Sequence, residues 1–176
     1  MKPPQFIETE RLLLRPPTIA DAKSIFAYAQ DSEVVRYLTW RTHQSIQETE
    51  KVVVEFVRFW ESETRYPYAI VLKSKNELVG MIDLRIARFR IEVGYVLARP
   101  YWRLGIMTEA LLRIVEWAFS QQEIYRVWAV CDVDNIASAR VLEKVGMQRE
   151  GILRRWIIHP NVSNLPRDCY CYAIVK

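Results

Sequence analysis

Apolar and polar positions along the chain follow two periods, and the points where one gives way to the other mark out its elements. Residues 12–15 read as a strand closed by Pro16-Pro17. Thr18-Ile19-Ala20-Asp21 follows as a capping box with Asp in the usual Glu position, opening a helix to about Ala29. A short helical piece is expected at 33–38. Over 45–60, Val53, Phe56, Val57 and Trp60 recur at helical spacing, while Glu48, Lys51, Glu55 and Arg58 fall largely off that face. Two β-rich runs, 68–72 and 78–86, flank the polar turn Lys73-Ser74-Lys75-Asn76-Glu77 and predict a hairpin. A strand at 91–97 comes next. Met107, Ala110, Leu111, Ile114 and Ala118 then return to the helical period, so a helix starts near Gly105 and runs to about Gln121. A strand at 126–131, a helix at 135–145 stopped by Gly146, and strands at 147–158 and 169–175 complete the chain. Seven strands and about four helices result, with hairpins early and late and a βαβ-like crossover in the middle. This pattern predicts the α/β (α+β) class with a mixed, mostly antiparallel sheet.

The junction between the strand at 91–97 and the helix near Gly105 holds the most chemistry. A helix start carries unpaired backbone N–H groups and the positive end of the dipole, which together attract phosphate. Gly105 has no side chain to keep a diphosphate off that backbone, and Arg99 and Arg103 flank it with charge. Arg103, Leu104, Gly105, Ile106, Met107 and Thr108 therefore form a candidate pyrophosphate cradle. A turn whose glycine merely eases packing gives the same pattern, so the junction alone admits both readings. Neither the Gly-Lys-Ser/Thr of a P-loop nor a Gly-x-Gly-x-x-Gly run occurs, so ATP and NAD sites find no support.

Composition adds limits rather than a function. The 176 residues suit one domain spanning 1–176, with a core burying about 70% of the unfolded surface. Apolar residues make up 51% and charged residues 26%, as in a soluble globular protein. Arg or Lys interrupts every apolar run before membrane-spanning length, and the first residues lack the apolar core of a secretion signal. Cys131, Cys169 and Cys171 are an odd set with neither a disulfide framework nor metal-ligand spacing. Buried apolar thiols in a reducing cytoplasm are the expectation. The two histidines, His43 and His159, are far apart and suggest no metal site. A dispersed excess of +4 suits anionic ligands and singles out no nucleic acid; Arg154-Arg155-Trp156 reads as a strand with one solvated face.

Four segments, spread over most of the chain, carry a resemblance. They are Thr9-Glu10-Arg11-Leu12-Leu13-Leu14-Arg15, Glu92-Val93-Gly94-Tyr95, Trp102-Arg103-Leu104-Gly105-Ile106-Met107-Thr108-Glu109-Ala110, and the run from Asn135-Ile136-Ala137-Ser138 to Glu143-Lys144-Val145-Gly146-Met147. In order and spacing they resemble the GNAT N-acetyltransferase superfamily, in its ribosomal-protein N-terminal acetyltransferase branch. The resemblance implies a sheet splayed between the fourth and fifth strands, acetyl-coenzyme A as donor with no metal, and a primary amine as acceptor. It also implies that backbone groups of Tyr95, Val96 and Leu97 pair with the pantetheine arm as an added strand would. The family's phosphate loop, Gln/Arg-x-x-Gly-x-Gly/Ala, keeps its central glycine here as Gly105, whereas Trp102 and Met107 depart from it.

Amine acetylation needs a neutral amine, a polarised thioester carbonyl and help for the leaving thiolate. Glu92 matches the family's strand glutamate and is the candidate base; an ordinary charge on an exposed strand face is the competing reading. A carboxylate serves as base at neutral pH when burial raises its pKa. The N–H of Val96 or Leu97 is placed to hold the thioester oxygen. Asn135 is explained as an N-cap alone, and the resemblance adds a coenzyme contact. Where many relatives carry a tyrosine acid this chain has Leu142, so Ser138 is the candidate acid, and the thiolate is itself a good leaving group.

The expected function is acetyl transfer to a protein N-terminal amine. The alternatives are a small amine or polyamine acceptor, or a non-catalytic acetyl-coenzyme A sensor. The protein is expected to be a monomer or homodimer with no membrane or nucleic-acid partner. Acceptor choice is expected in 32–60 and 159–168, with Tyr37, Trp40 and Trp156 as cleft or core aromatics.

Overall fold

A computed structural model describes residues 1–63 and 65–176. Eight strands form one sheet: β1 (Ile7–Glu8), β2 (Leu12–Arg15), β3 (Tyr66–Leu72), β4 (Glu77–Ala87), β5 (Arg90–Leu97), β6 (Arg126–Asp132), β7 (Gln148–Ile157) and β8 (Arg167–Val175). Their order is β1-β2-β3-β4-β5-β6-β8-β7. Five α-helices are described: α1 (Ala22–Ala29), α2 (Ser32–Val35), α3 (Ile46–Ser62), α4 (Ile106–Ser120) and α5 (Ile136–Lys144).

The expected seven strands and about four helices are thus corrected to eight and five among the described residues. The additional strand, β1, has two residues, too few to show a period. It exists because Thr9 closes a tight turn, its N–H donating to the Leu12 carbonyl at 3.0 Å and its hydroxyl accepting from Leu12 N–H at 2.9 Å. The short helix α2 is one turn, capped by the Asp31 carboxylate on Glu33 N–H, and it ends at Val35 rather than at Leu38. The capping box forms as expected: the Thr18 N–H donates to the Asp21 carboxylate at 2.7 Å, opening a 3₁₀ turn that leads into α1.

Strand alternation sends two sets of side chains to two faces. One face carries Ile70, Ile82, Leu84, Ile91 and Val93 and packs on α4, through Met107, Ala110, Leu111 and Ile114, and on Leu142 of α5. The other carries Ala69 and Met81 and packs on Ile25 and Tyr28 of α1 and Val53 of α3. Every pairing is antiparallel except β5 with β6, which is parallel and needs the α4 crossover.

Apart from that of the two-residue edge strand β1, the β5–β6 pairing is the shortest in the sheet: Arg90 with Arg126, Ile91 with Val127 and Glu92 with Trp128. Both strands continue, to Leu97 and Asp132, without pairing further with each other, so the expected splay is present. Gly80 helps to hold it open. It lies opposite Leu97, and a Cβ there would collide with the Val96 carbonyl oxygen, so only glycine lets the end of β5 lean this far onto β4. No helix is long and apolar enough to cross a membrane among the described residues.

Candidate active site

The gap past Glu92 exposes one edge of β5. Phe89 accepts a hydrogen bond from Tyr125 on the β6 side, and Ala98 N–H donates to Val79 on the β4 side. Backbone groups alternate between edges, so those of Val93, Tyr95 and Leu97 face the gap. The Val96 backbone turns the other way, with its carbonyl against Gly80. Of the three residues assigned to the pantetheine arm, Tyr95 and Leu97 therefore face the gap and Val96 does not. The Leu97 carbonyl already accepts the Trp102 indole N–H at 2.7 Å.

At the far end of this edge the chain enters α4 through two left-handed residues, Arg103 at φ 62° and Gly105 at φ 75°. Such a turn points successive N–H groups at one concavity, and it abuts the positive end of α4. At Gly105 the conformation, not crowding, requires glycine: a Cβ would meet only an Arg11 nitrogen at 3.5 Å. The loop is clamped from behind. Arg11 donates from Nη1 to the Leu104 carbonyl at 3.0 Å and from Nε to Glu109 Oε2 at 2.6 Å. The other Glu109 oxygen accepts the Arg11 backbone N–H and the Thr9 hydroxyl. Partial burial opposes the charge on Glu109, but these hydrogen bonds hold its carboxyl below the ordinary range. Thr9, Gly105, Thr108 and Lys144 border a groove of about 490 Å³ beside the loop. Arg99, expected to supply charge here, instead pairs with Asp31 at 3.0 Å.

On the α5 side of the gap two hydroxyls meet. The Tyr95 phenol lies 2.8 Å from Ser138 Oγ and donates to the Ser138 carbonyl at 3.2 Å. Burial raises the Tyr95 pKa, with Ser138 pulling the other way. Asn135 caps α5 by accepting Ser138 N–H at 3.2 Å, which fixes where the serine stands. The Tyr95 side chain was not among the expected chemical groups. Its odd position in β5, on the α5 face, is the signal that would have found it. Leu142 is fully buried in the core. Cys131 is buried and its thiol pushed up to about 12 by desolvation. Cys169 is buried as well, but Cys171 is only half-buried and lies 3.9 Å from a Glu150 oxygen, correcting the expectation for that thiol.

The opposite face of β5 is built from ions. Glu92 accepts Arg85 Nη1 at 2.7 Å, and its side chain keeps 27% of its exposure. Arg85 Nε lies 3.3 Å from Asp83 Oδ2, which also takes Arg65 Nε at 2.6 Å. Asp83 is buried, and desolvation raises its pKa against the pull of both arginines. The burial sought for a neutral-pH base thus falls on Asp83 more than on Glu92. A lone acid in the apolar run Val79-Gly80-Met81-Ile82-Asp83-Leu84 was the overlooked signal.

The two segments expected to wall the acceptor side do meet. Asn161 Nδ2 donates to the carbonyls of Val35 at 2.8 Å and Trp40 at 2.7 Å, and Tyr37 stands edge-on to His159. His159 is buried, with Nε2 3.6 Å from Asp132, and desolvation lowers its pKa. Trp40 packs on His43 and the α1–α3 core, whereas Trp156 is exposed, so a core role is ruled out for Trp156. Asp168 anchors the loop by accepting Arg155 N–H at 2.9 Å, and Tyr172 is a core tyrosine.

With this geometry in view, comparison with known proteins is informative. Residues 11–148 match the acetyltransferase (GNAT) domain family. Over 173 residues the chain is 34% identical to YoaA, an uncharacterized N-acetyltransferase of Bacillus subtilis, covering 97% of this chain and 96% of that protein. It superimposes on the crystal structure of a GNAT-family acetyltransferase from Bacillus anthracis with a TM-score of 0.84 at 29% identity, covering 97% and 98% of the two chains. It shares its fold with RimL, a ribosomal alpha-N-protein acetyltransferase solved in complex with coenzyme A, at a TM-score of 0.83 and 21% identity over 97% of each chain.

Proposed function

The chain belongs to the GNAT acetyltransferase family and is an N-acetyltransferase that draws on acetyl-coenzyme A; from that premise we propose that its acceptor is the α-amine of a protein N-terminus. The observation that carries the donor half of this reading is the free β5 edge leading to the left-handed loop at Gly105. In this reading the pyrophosphate rests on the backbone from Arg103 to Thr108, and the pantetheine arm pairs with Tyr95 and Leu97. The thioester then lies where β5 leaves β6, between two chemically different faces.

On one face, the Ser138 hydroxyl, held 2.8 Å from the Tyr95 phenol, donates to the departing thiolate, which needs little more than a hydrogen bond. On the other, Glu92 receives the proton that the amine gives up. An α-amine suits this arrangement because its ordinary pKa near 7.7–8.0 leaves a usable neutral fraction, so a partly exposed carboxylate suffices as base. The likeness in fold to RimL supports the same acceptor class. Three free thiols support a reducing, cytoplasmic setting.

The test is a turnover assay with acetyl-coenzyme A against short peptides with free N-termini, peptides blocked at the N-terminus but carrying lysine, and spermidine. Acetylation of the free N-termini at the highest kcat/KM is the expected result. A preference for spermidine would move the acceptor to small amines, and binding of acetyl-coenzyme A without turnover of any amine would make the protein a sensor.

A further inference from the structure

We infer that Asp83 and Glu92 form an anionic seat for the protonated acceptor amine, and that the Arg85 guanidinium fills this seat in the free protein. The inference rests on the amine-acetylating reading above and deepens it by saying what the acceptor must offer.

Three observations converge. The first is placement. Asp83 lies directly across from Gly94, and Arg85 directly across from Glu92, so both carboxylates stand on one face of neighbouring strands. That face is the one away from Tyr95 and Ser138. Gly94 is the second residue beyond the last β5–β6 pair, and a Cβ there would have nothing within 4 Å. Open space therefore sits beside Asp83 where the gap begins.

The second observation is an unused oxygen. Asp83 Oδ2 takes both arginines, while Oδ1 is enclosed and has no hydrogen-bond partner among the described residues. A buried carboxylate oxygen without a donor is rare in folded proteins and calls for a missing partner. Desolvation already strains this carboxylate, and a cation brought to Oδ1 would relieve it.

The third is the occupant. Arg85 is half exposed and bridges Glu92 at 2.7 Å and Asp83 at 3.3 Å, whereas the more buried Arg65 holds Asp83 at 2.6 Å. Arg85 is the looser cation, and its removal leaves Asp83 still paired. An alkylammonium carries three N–H donors on one compact charge, enough to take over the Arg85 contacts to Glu92 and Asp83 Oδ2 and leave one donor for Oδ1. Exchanging a guanidinium for an ammonium keeps the local charge unchanged, with two carboxylates and two cations. The seat therefore selects primary ammonium groups over neutral amides, which lack the charge, and over N,N-dimethylated amines, which keep one N–H donor when protonated.

The experiment measures steady-state kinetics with a tetrapeptide amide bearing an N-terminal serine and with n-butylamine, in the parent, Asp83→Asn and Arg85→Met. Acetyl-coenzyme A affinity is followed by calorimetry and folding by thermal melting. Asp83→Asn is expected to raise KM for both amines tenfold or more with unchanged coenzyme affinity. Arg85→Met is expected to lower KM several-fold, because the seat is vacated. A merely structural ion network predicts the same sign for both variants, so KM rising in Arg85→Met, or staying within twofold of the parent in Asp83→Asn, overturns the seat. If the parent acetylates n-butylamine and not the peptide, the N-terminal reading falls while the seat is judged on n-butylamine. No turnover of either amine by the parent overturns the amine-acetylating reading and the seat with it.

Discussion

The two faces of β5 are built by different means. Toward α4 and α5 the site is mostly backbone: a free strand edge, a left-handed loop at Arg103 and Gly105, and a capped helix that fixes Ser138. Toward α1 and α3 it is long ionised side chains, Arg65, Arg85, Asp83 and Glu92, with a loop pinned by one asparagine. Backbone geometry is costly to change and suits a donor that never varies. Side chains can be exchanged without disturbing the sheet, which suits the half of the site proposed to set the acceptor.

The sharpest way to break this contrast is Glu92→Gln. It should lower turnover by ~10²–10⁴-fold at neutral pH while leaving coenzyme affinity alone, and the deficit should shrink at high pH as the amine deprotonates unaided. Equal rates for variant and parent at pH 7 would reduce Glu92 to a partner of Arg85. Next in size is Gly105→Val on the backbone side. A branched residue resists φ 75°, so acetyl-coenzyme A should bind at least tenfold more weakly, on the order of 1.4 kcal/mol, with little change in acceptor ranking. Unchanged affinity in a folded variant would take the pyrophosphate off this loop.

A smaller effect is expected from Glu109→Gln, which weakens the clamp behind the same loop. Glu109 has a lowered pKa when folded, so its contribution is complete above the ordinary carboxylate value of about 4.3 and fades as pH falls through the folded value. The parent should melt a few degrees above the variant at pH 7, and the two should converge in acid; a gap that persists there would mean the charge on Glu109 is not what holds the clamp. The mildest is Asn161→Ala. It removes two hydrogen bonds to the carbonyls of Val35 and Trp40, so the ranking of peptide acceptors should shift while calorimetry with acetyl-coenzyme A does not. An unchanged ranking would mean the 159–168 segment does not wall the acceptor.

The same division decides what could be read from sequence. Backbone-built parts leave local marks: Gly105 at a helix start, Asn135 as a cap, and Gly146 at φ 86° past a helix end all fell where periodicity placed them. Parts built by side chains from distant positions leave almost none. Arg11 and Glu109 are 98 residues apart, so their clamp has no local signature, although both lie in motifs singled out for other reasons. Arg99 looked like a phosphate ligand because it neighbours the loop in sequence, but its nearer partner in space is Asp31. Glu92 could be located on a strand but not its ion pair, since Arg85 reaches it only across the β4–β5 register.

The brevity of the β5–β6 contact has a consequence for how the molecule comes apart. Only three residue pairs join β1–β5 to β6–β8 within the sheet, and beyond them the amides of Tyr95 and Leu97 face the gap. A sheet interrupted in this way behaves as two cooperative blocks that can open against one another before either melts. A ligand lying in the interruption and bonded to the β5 edge would splice the blocks together. Those amides should then be slowed in hydrogen exchange by acetyl-coenzyme A far more than the rest of the sheet, and thermal unfolding should become steeper as well as later.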